Sequence, residues 1–168
     1  DNPASQAYVG NKVRSCEEVG FRSTLIRKAA DLSEEALLEI VEELNNDPEV
    51  DGFIVQLPLP KHINEERITL AIDPRKDVDG FHPLNFGRMA QGLSCYLPAT
   101  PYGVLLLLER FGIPTNGKHV VIVGRSNIVG TPLSILLSRK GKVGDATVTL
   151  AHSRTKDLQA ETIRADIL

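Results

Sequence analysis

The sequence predicts an α/β protein built as two α/β lobes with a cleft between them. Three observations point there. Strand-like and helix-like runs alternate along all 168 residues, the pattern of sheets covered by helices. Val120-Val121-Ile122-Val123 is an unbroken apolar run suited to a strand buried on both faces. That run passes through Gly124, small polar residues and Gly130 into Leu133, Leu136 and Leu137 at helical spacing. Strand, small-residue turn and helix together aim backbone amides and a helix N-terminus at an anion, usually a phosphate.

Taken in order, residues 5–19 read as a helix, with Ser5 able to cap it and Gly20 at the left-handed position that ends it. Tyr8 and Lys12 are four apart and share a face. They are either a pair that can direct protons or a half-buried tyrosine beside a solvated lysine. Residues 21–26 read as a strand. Residues 33–44 form an amphipathic helix with Ala36, Leu37, Ile40, Val41 and Leu44 as its stripe, and Asn45-Asn46-Asp47-Pro48 ends it.

Residues 52–56 read as a second buried strand, stopped by Leu57-Pro58-Leu59-Pro60, because proline cannot continue a central ladder. Gln56 would stand at the carboxyl end of that strand, where α/β folds place ligand contacts, or would be an amide that merely satisfies loop backbone groups. Residues 65–72 form a short helix. The turn-rich segment 73–83 follows, with Asp77 and Asp79 on either side of Val78. Such acids can bind a cation, accept a ligand's N–H groups, or hold the loop by Asx-turns. Residues 84–90 are helical. Residues 101–110 form a helix apolar nearly all round, expected to be buried between layers or domains. The domain junction is placed within 97–117, giving lobes of residues 1–100 and 101–168.

The strand-like stretch Ala146-Thr147-Val148-Thr149-Leu150 bears on the nucleotide. An NAD-specific unit carries Asp or Glu near this point to hold the ribose 2′-hydroxyl. Here the chain continues Ala151-His152-Ser153-Arg154-Thr155 with no acid. Arg, Ser and Thr can bind a 2′-phosphate that a carboxylate would repel, although Arg154 read alone could equally be an ordinary solvated arginine. Arg125 in the first turn is a second cation for that group. The reading is NADP rather than NAD, on a Rossmann-like unit whose glycines depart from the G-x-G-x-x-G spacing.

A net charge of −3 gives no general drive toward nucleic acid or an anionic membrane. No apolar run approaches the roughly 20 residues of a membrane span. Cys16 and Cys95 fit free thiols in a reducing, cytoplasmic compartment. The 4 histidines form no cluster with cysteine, which argues against a metal site. Residues 1–5 read as a loop leaving an absent strand and residues 165–168 as a strand just begun, so the chain is expected to be a piece of a longer protein.

Six segments together resemble one family: Ser5-x-x-Tyr8-Val9-x-x-Lys12, Gly52 through Pro60, Lys76-Asp77-Val78-Asp79-Gly80, Pro98-x-Thr100-Pro101-x-Gly103, Gly124-Arg125-Ser126-x-Ile128-Val129-Gly130-x-Pro132, and His152-Ser153-x-Thr155. In this order they are similar to the bifunctional methylenetetrahydrofolate dehydrogenase/cyclohydrolases. The resemblance implies oxidation of 5,10-methylenetetrahydrofolate with NADP+ and hydrolysis of the methenyl product to 10-formyltetrahydrofolate. It implies Lys12 as the key catalytic group, with Tyr8 orienting the folate, Gln56 tuning the lysine and Asp79 anchoring the pterin. Leu57 and Pro58 would line the folate site. Thr100, Gly124, Arg125, Ser126, Ile128, Val129, Gly130, His152, Ser153 and Arg154 would contact NADP. It also implies tetrahydrofolate derivatives as partners and a homodimer. A lysine serves as a base near neutrality only where burial and a hydrogen-bond partner lower its pKa from about 10.4. The implied cleft therefore sets the lobe carrying Tyr8, Lys12, Gln56 and Asp79 against the lobe carrying the 124–130 turn.

Overall fold

Local sequence dictates most of the helices seen in the computed structural model, which describes residues 3–168, with side chains from residue 9 onward. The chain divides into two compact units, Asp1–Leu32 and Ser33–Leu168.

The first unit is dominated by helix α1, Pro3–Glu18. Ser5 lies inside this helix rather than at its cap. The helix ends as expected: Gly20 is left-handed, and the Phe21 N–H reaches back to the Cys16 carbonyl at 2.8 Å. Residues 21–26 are not the expected strand. They have no regular structure and are exposed, Phe21 to 69%. Strand propensity measures fit to a neighbouring strand, and no ladder pairs this stretch among the described residues.

The second unit opens with α2, Glu34–Asn46, whose N-cap Ser33 accepts the Ala36 N–H at 3.2 Å. Helix α3, Glu65–Ala71, is capped by the Asn64 side chain, which accepts from Glu66 and Arg67. The two helices share a core of Val41, Ile63, Ile68 and Ile72. Arg67 of α3 pairs with Glu34 of α2. Residues 52–56 depart from the expected buried strand. They make only an isolated parallel bridge, Phe53 to Asp77. Phe53 and Val55 pack onto the α2–α3 core, while Ile54 is 40% exposed and Gln56 is exposed. Alternation with one wetted face is what a stretch with a single neighbour can reach.

Helix α4, Pro83–Ala90, starts at His82, whose Nδ1 accepts the Leu84 N–H at 3.1 Å. Helix α5 is Ala99–Arg110. It is not buried all round: Leu108 and Pro101 are buried, but Leu106 and Leu107 are 47% and 55% exposed. The nucleotide-type unit follows as read from the sequence. Strand β1, His119–Val123, leads into α6, Gly130–Ser138, and then into β2, Thr147–Ala151. The strands are parallel, with Val120 opposite Val148 and Val123 opposite Ala151. Leu108 of α5 and Leu133 and Leu137 of α6 cover Val120 in a second core. After α7, Leu158–Ile163, the expected incipient strand lies on the other edge of β1. There Ile167 bridges Val120 and accepts the Val121 N–H at 2.9 Å. Among the described residues no helix is long and apolar enough to cross a membrane.

Candidate functional site

The turn between β1 and α6 is closed by backbone contact. A Cβ on Gly130 would meet the Gly124 carbonyl oxygen at 1.9 Å, so only glycine lets the helix start this close to the strand end. The Ser126 carbonyl accepts the Thr131 N–H at 3.0 Å, and Ser126 Oγ accepts the Val129 N–H at 3.1 Å. The Ser126 hydroxyl proton can still be donated outward. No side chain caps α6, whose N-cap is Val129. Arg125, Ser126, Asn127 and Ile128 are exposed around this end. A helix N-terminus without a side-chain cap, flanked by a cation and a hydroxyl, suits a phosphate.

The turn after β2 stands beside it. The Gly124 N–H donates to the Ala151 carbonyl at 2.8 Å, so the two turns leave adjacent strand ends. His152 then folds the chain on itself. Its N–H donates to Thr155 Oγ1 at 2.8 Å, and its carbonyl accepts the Thr155 N–H at 2.8 Å. Its ring Nδ1 accepts the Arg154 N–H at 3.1 Å. Ser153 and Arg154 are carried exposed on this turn. Neither turn contains Asp or Glu.

The segment 73–82 separates its acids. Asp77 is 2% exposed and accepts from the Phe81 N–H at 3.2 Å, the His82 N–H at 2.9 Å and Asn85 Nδ2 at 2.8 Å. It organises the loop, one of the roles open to it from sequence. Lys76 donates from Nζ to the Leu44 and Asp47 carbonyls at 2.8 and 2.6 Å, closing the C-terminus of α2. Gly80 lies so close to the 96–98 backbone that a Cβ would sit 2.8 Å from the Tyr96 oxygen. Asp73, bonded and ion-paired to Arg75, is held down to about 2. Asp79 and Asp77 both line a small hollow with Phe53, Val55, Leu57, Thr69 and Phe81. A carboxylate there can accept a ligand's N–H groups.

The sequence-derived candidates thus fall in several places. Leu57 and Asp79 share the hollow; Gln56 beside them donates to the Leu57 carbonyl at 3.0 Å, and Pro58 follows Leu57. Gly124, Arg125, Ser126, Ile128, Val129 and Gly130 form the first turn, and His152, Ser153 and Arg154 the second. Thr100 is exposed in the first turn of α5. Lys12 lies half-buried on α1 in the separate first unit, and the Tyr8 side chain is outside the described residues. Two contributors were not named as site residues from sequence. Thr155 ties the second turn, and Lys76 ties the acid loop to α2. The His-x-x-Thr spacing was the available signal for the first, since side chains two and three residues from an amide are placed to bond it.

Comparison with known proteins gives a consistent neighbourhood. Residues 1–79 match the tetrahydrofolate dehydrogenase/cyclohydrolase catalytic domain, and residues 98–168 match the NAD(P)-binding domain of the same enzymes. The chain is 60% identical to Bifunctional protein FolD of Flavobacterium johnsoniae over 100% of its own length and 57% of that protein. It therefore spans a little over half the length of the curated relatives it matches. Among solved structures it is similar to the FolD methylenetetrahydrofolate dehydrogenase/cyclohydrolase of Campylobacter jejuni, with TM-score 0.92 and 46% identity, covering 99% of this chain and 58% of that one. The Trypanosoma brucei enzyme, solved with NADP and an inhibitor, aligns with TM-score 0.91 and 34% identity, covering 98% of this chain and 56% of that one.

Proposed function

Because this chain belongs to the tetrahydrofolate dehydrogenase/cyclohydrolase family, we propose that it forms part of an NADP-dependent enzyme of one-carbon metabolism. The enzyme oxidises 5,10-methylenetetrahydrofolate to 5,10-methenyltetrahydrofolate and hydrolyses the methenyl form to 10-formyltetrahydrofolate. Residues 1–100 supply the folate-binding lobe, and residues 101–168 begin the NADP-binding lobe. The partners are tetrahydrofolate derivatives, and the working form is a cytoplasmic homodimer.

The observation that carries this reading is the pair of acid-free turns at adjacent strand ends. The fit to NADP rests on their chemistry. The Gly124–Gly130 contact leaves room only for backbone, the α6 N-terminus carries no side-chain cap, and Arg125, Ser153 and Arg154 supply donors for a 2′-phosphate. When bound, the nicotinamide cofactor accepts the hydride. Arg125, Ser126, Ser153 and Arg154 bind and orient it; Thr100, Ile128, Val129 and His152 complete the contacts.

Asp79 holds the pterin N–H groups, Leu57 and Pro58 line the folate site, and Gln56 tunes the lysine. Tyr8 orients the folate. The methenyl carbon is already electrophilic, so hydrolysis needs an oriented water and a base more than an acid. Lys12 takes the proton from that water.

The test is Lys12→Gln in the full chain. Hydrolysis of methenyltetrahydrofolate should fall by about 100-fold or more, the usual scale of a lost general base, with NADP still bound. Undiminished hydrolysis would refute the role of Lys12. Growth of NADPH absorbance on mixing methylenetetrahydrofolate with NADP+ tests the other reaction. Silence in both assays would reduce the chain to a nucleotide-binding module.

A further inference from the structure

Resting on the NADP reading, we infer that His152 is a positioning residue for cofactor specificity: its ring builds the turn that presents Ser153 and Arg154 to a 2′-phosphate. Residue 152 makes three of the bonds that close this turn, two through its backbone to Thr155 and one through Nδ1 to the Arg154 N–H. Accepting an amide at Nδ1 requires that nitrogen to be without a proton, which places the neutral ring's proton on Nε2. The preceding residue, Ala151, is tied to Gly124, next to Arg125. The two cationic residues are therefore set by bonds that converge on residues 151 and 152.

A side chain that accepts the N–H two residues ahead normally comes from Asp or Asn. Asp would make the same bond but bring a negative charge beside the phosphate. A neutral imidazole makes it without that charge. The ring thus combines the geometry of an Asx-turn with the electrostatics that a 2′-phosphorylated ligand demands.

The experiment measures NADP and NAD affinity calorimetrically on the full chain carrying His152→Ala, His152→Asn, His152→Asp or Thr155→Val. The ratio of the two affinities is the readout, because general loss of folded protein lowers both together. His152→Ala and Thr155→Val should each lower the NADP-to-NAD ratio roughly tenfold, the scale of a misplaced charge-assisted bond. His152→Asn should restore it, and His152→Asp should not. A His152→Ala ratio equal to wild type overturns the inference while leaving the NADP reading standing. A His152→Asn ratio as poor as that of His152→Ala also overturns it, since the imidazole itself would then be the phosphate ligand. A wild-type chain that prefers NAD overturns the NADP reading and this inference with it.

Discussion

The loop at residues 76–82 and the turn at residues 124–130 both reverse the chain around glycine, yet side chains take a larger part in holding the first. The first is fastened by side chains. Lys76 reaches the end of α2, and Asp77 gathers two backbone amides and the Asn85 amide. The second is held largely by backbone proximity, with Gly130 pressed on the Gly124 carbonyl and an exposed rim of Arg125 and Ser126. The first loop spends Lys76 and Asp77 on its own closure, and both Asp77 and Asp79 border the hollow. A turn closed mainly by backbone leaves Arg125 and the Ser126 hydroxyl proton exposed at its rim. The difference separates structural from functional candidates within motifs that look equally rich in polar residues.

The largest expected effect tests the backbone-closed turn. Gly130→Ala forces a Cβ to within 1.9 Å of the Gly124 oxygen, and the obstacle is main chain rather than a movable side-chain tip. Relief requires α6 to shift from β1, costing about 3 kcal/mol, the upper range for overpacking. NADP binding should disappear, as followed by calorimetry. An alanine variant that binds NADP normally would show that the close approach is incidental.

Next come the two acids of the side-chain-built loop. Asp77→Ala leaves three donors without their acceptor in a buried place, at a cost of about 3 kcal/mol seen as a lower urea midpoint. Asp79→Asn keeps the side chain's size and should lower turnover of methylenetetrahydrofolate with a smaller loss of stability than Asp77→Ala. Equal effects of the two changes on stability and turnover would erase the distinction drawn between them.

What was legible beforehand follows the same divide between local and distant causes. The β1–turn–α6–β2 unit could be read because each part depends on neighbours in sequence: an apolar run, glycines, a helical stripe. The helix end at Gly20 was equally local, whereas the cap read at Ser5 was not found, since α1 already starts at Pro3. The strands assigned to 21–26 and 52–56 failed because a strand exists only through its partners, which propensity does not reveal. Helix α5 misled for a related reason: its leucines encircle it, but which ones are covered depends on packing from α6 and β1. Asp77 and Asp79 were seen as a pair. The bonding of Asp77 depends on Asn85, eight residues on, and the hollow that both acids border is completed by Phe53, Leu57 and Thr69, farther away in the chain.

A smaller effect sharpens the role of Lys76. Lys76→Met keeps the aliphatic stem but removes the donor to the Leu44 and Asp47 carbonyls. The loss should be about 1 kcal/mol, concentrated at the end of α2. Faster amide exchange at Asp47, whose N–H bonds the Glu43 carbonyl at 3.0 Å, would report it. Exchange unchanged at Asp47 but raised throughout would place the function of Lys76 elsewhere.

The mildest probe is acid. Asp73 is lowered from 3.8 to about 2, mainly by its side-chain bond to Arg75. A carboxylate depressed in the folded state contributes fully above its unfolded value and loses that contribution as pH falls through the folded one. Stability from Asp73 is thus complete above about 4 and fades toward pH 2. The carboxylate is only partly buried and its partner Arg75 is exposed, so the total change is small. Its location is what discriminates: the acid loop begins at Asp73, whereas the 124–130 turn contains no carboxylate. Between pH 4 and 2, after correction for intrinsic exchange, protection should fall first at the Arg75 N–H, which bonds Asp73 Oδ1 at 2.8 Å. It should persist longer at the Gly124 N–H, which bonds the Ala151 carbonyl at 2.8 Å. Asp73→Asn should flatten the response at Arg75 alone. Simultaneous loss at both amides would mean that the two bends share one cooperative acid transition, and the contrast between side-chain and backbone fastening would have no energetic expression.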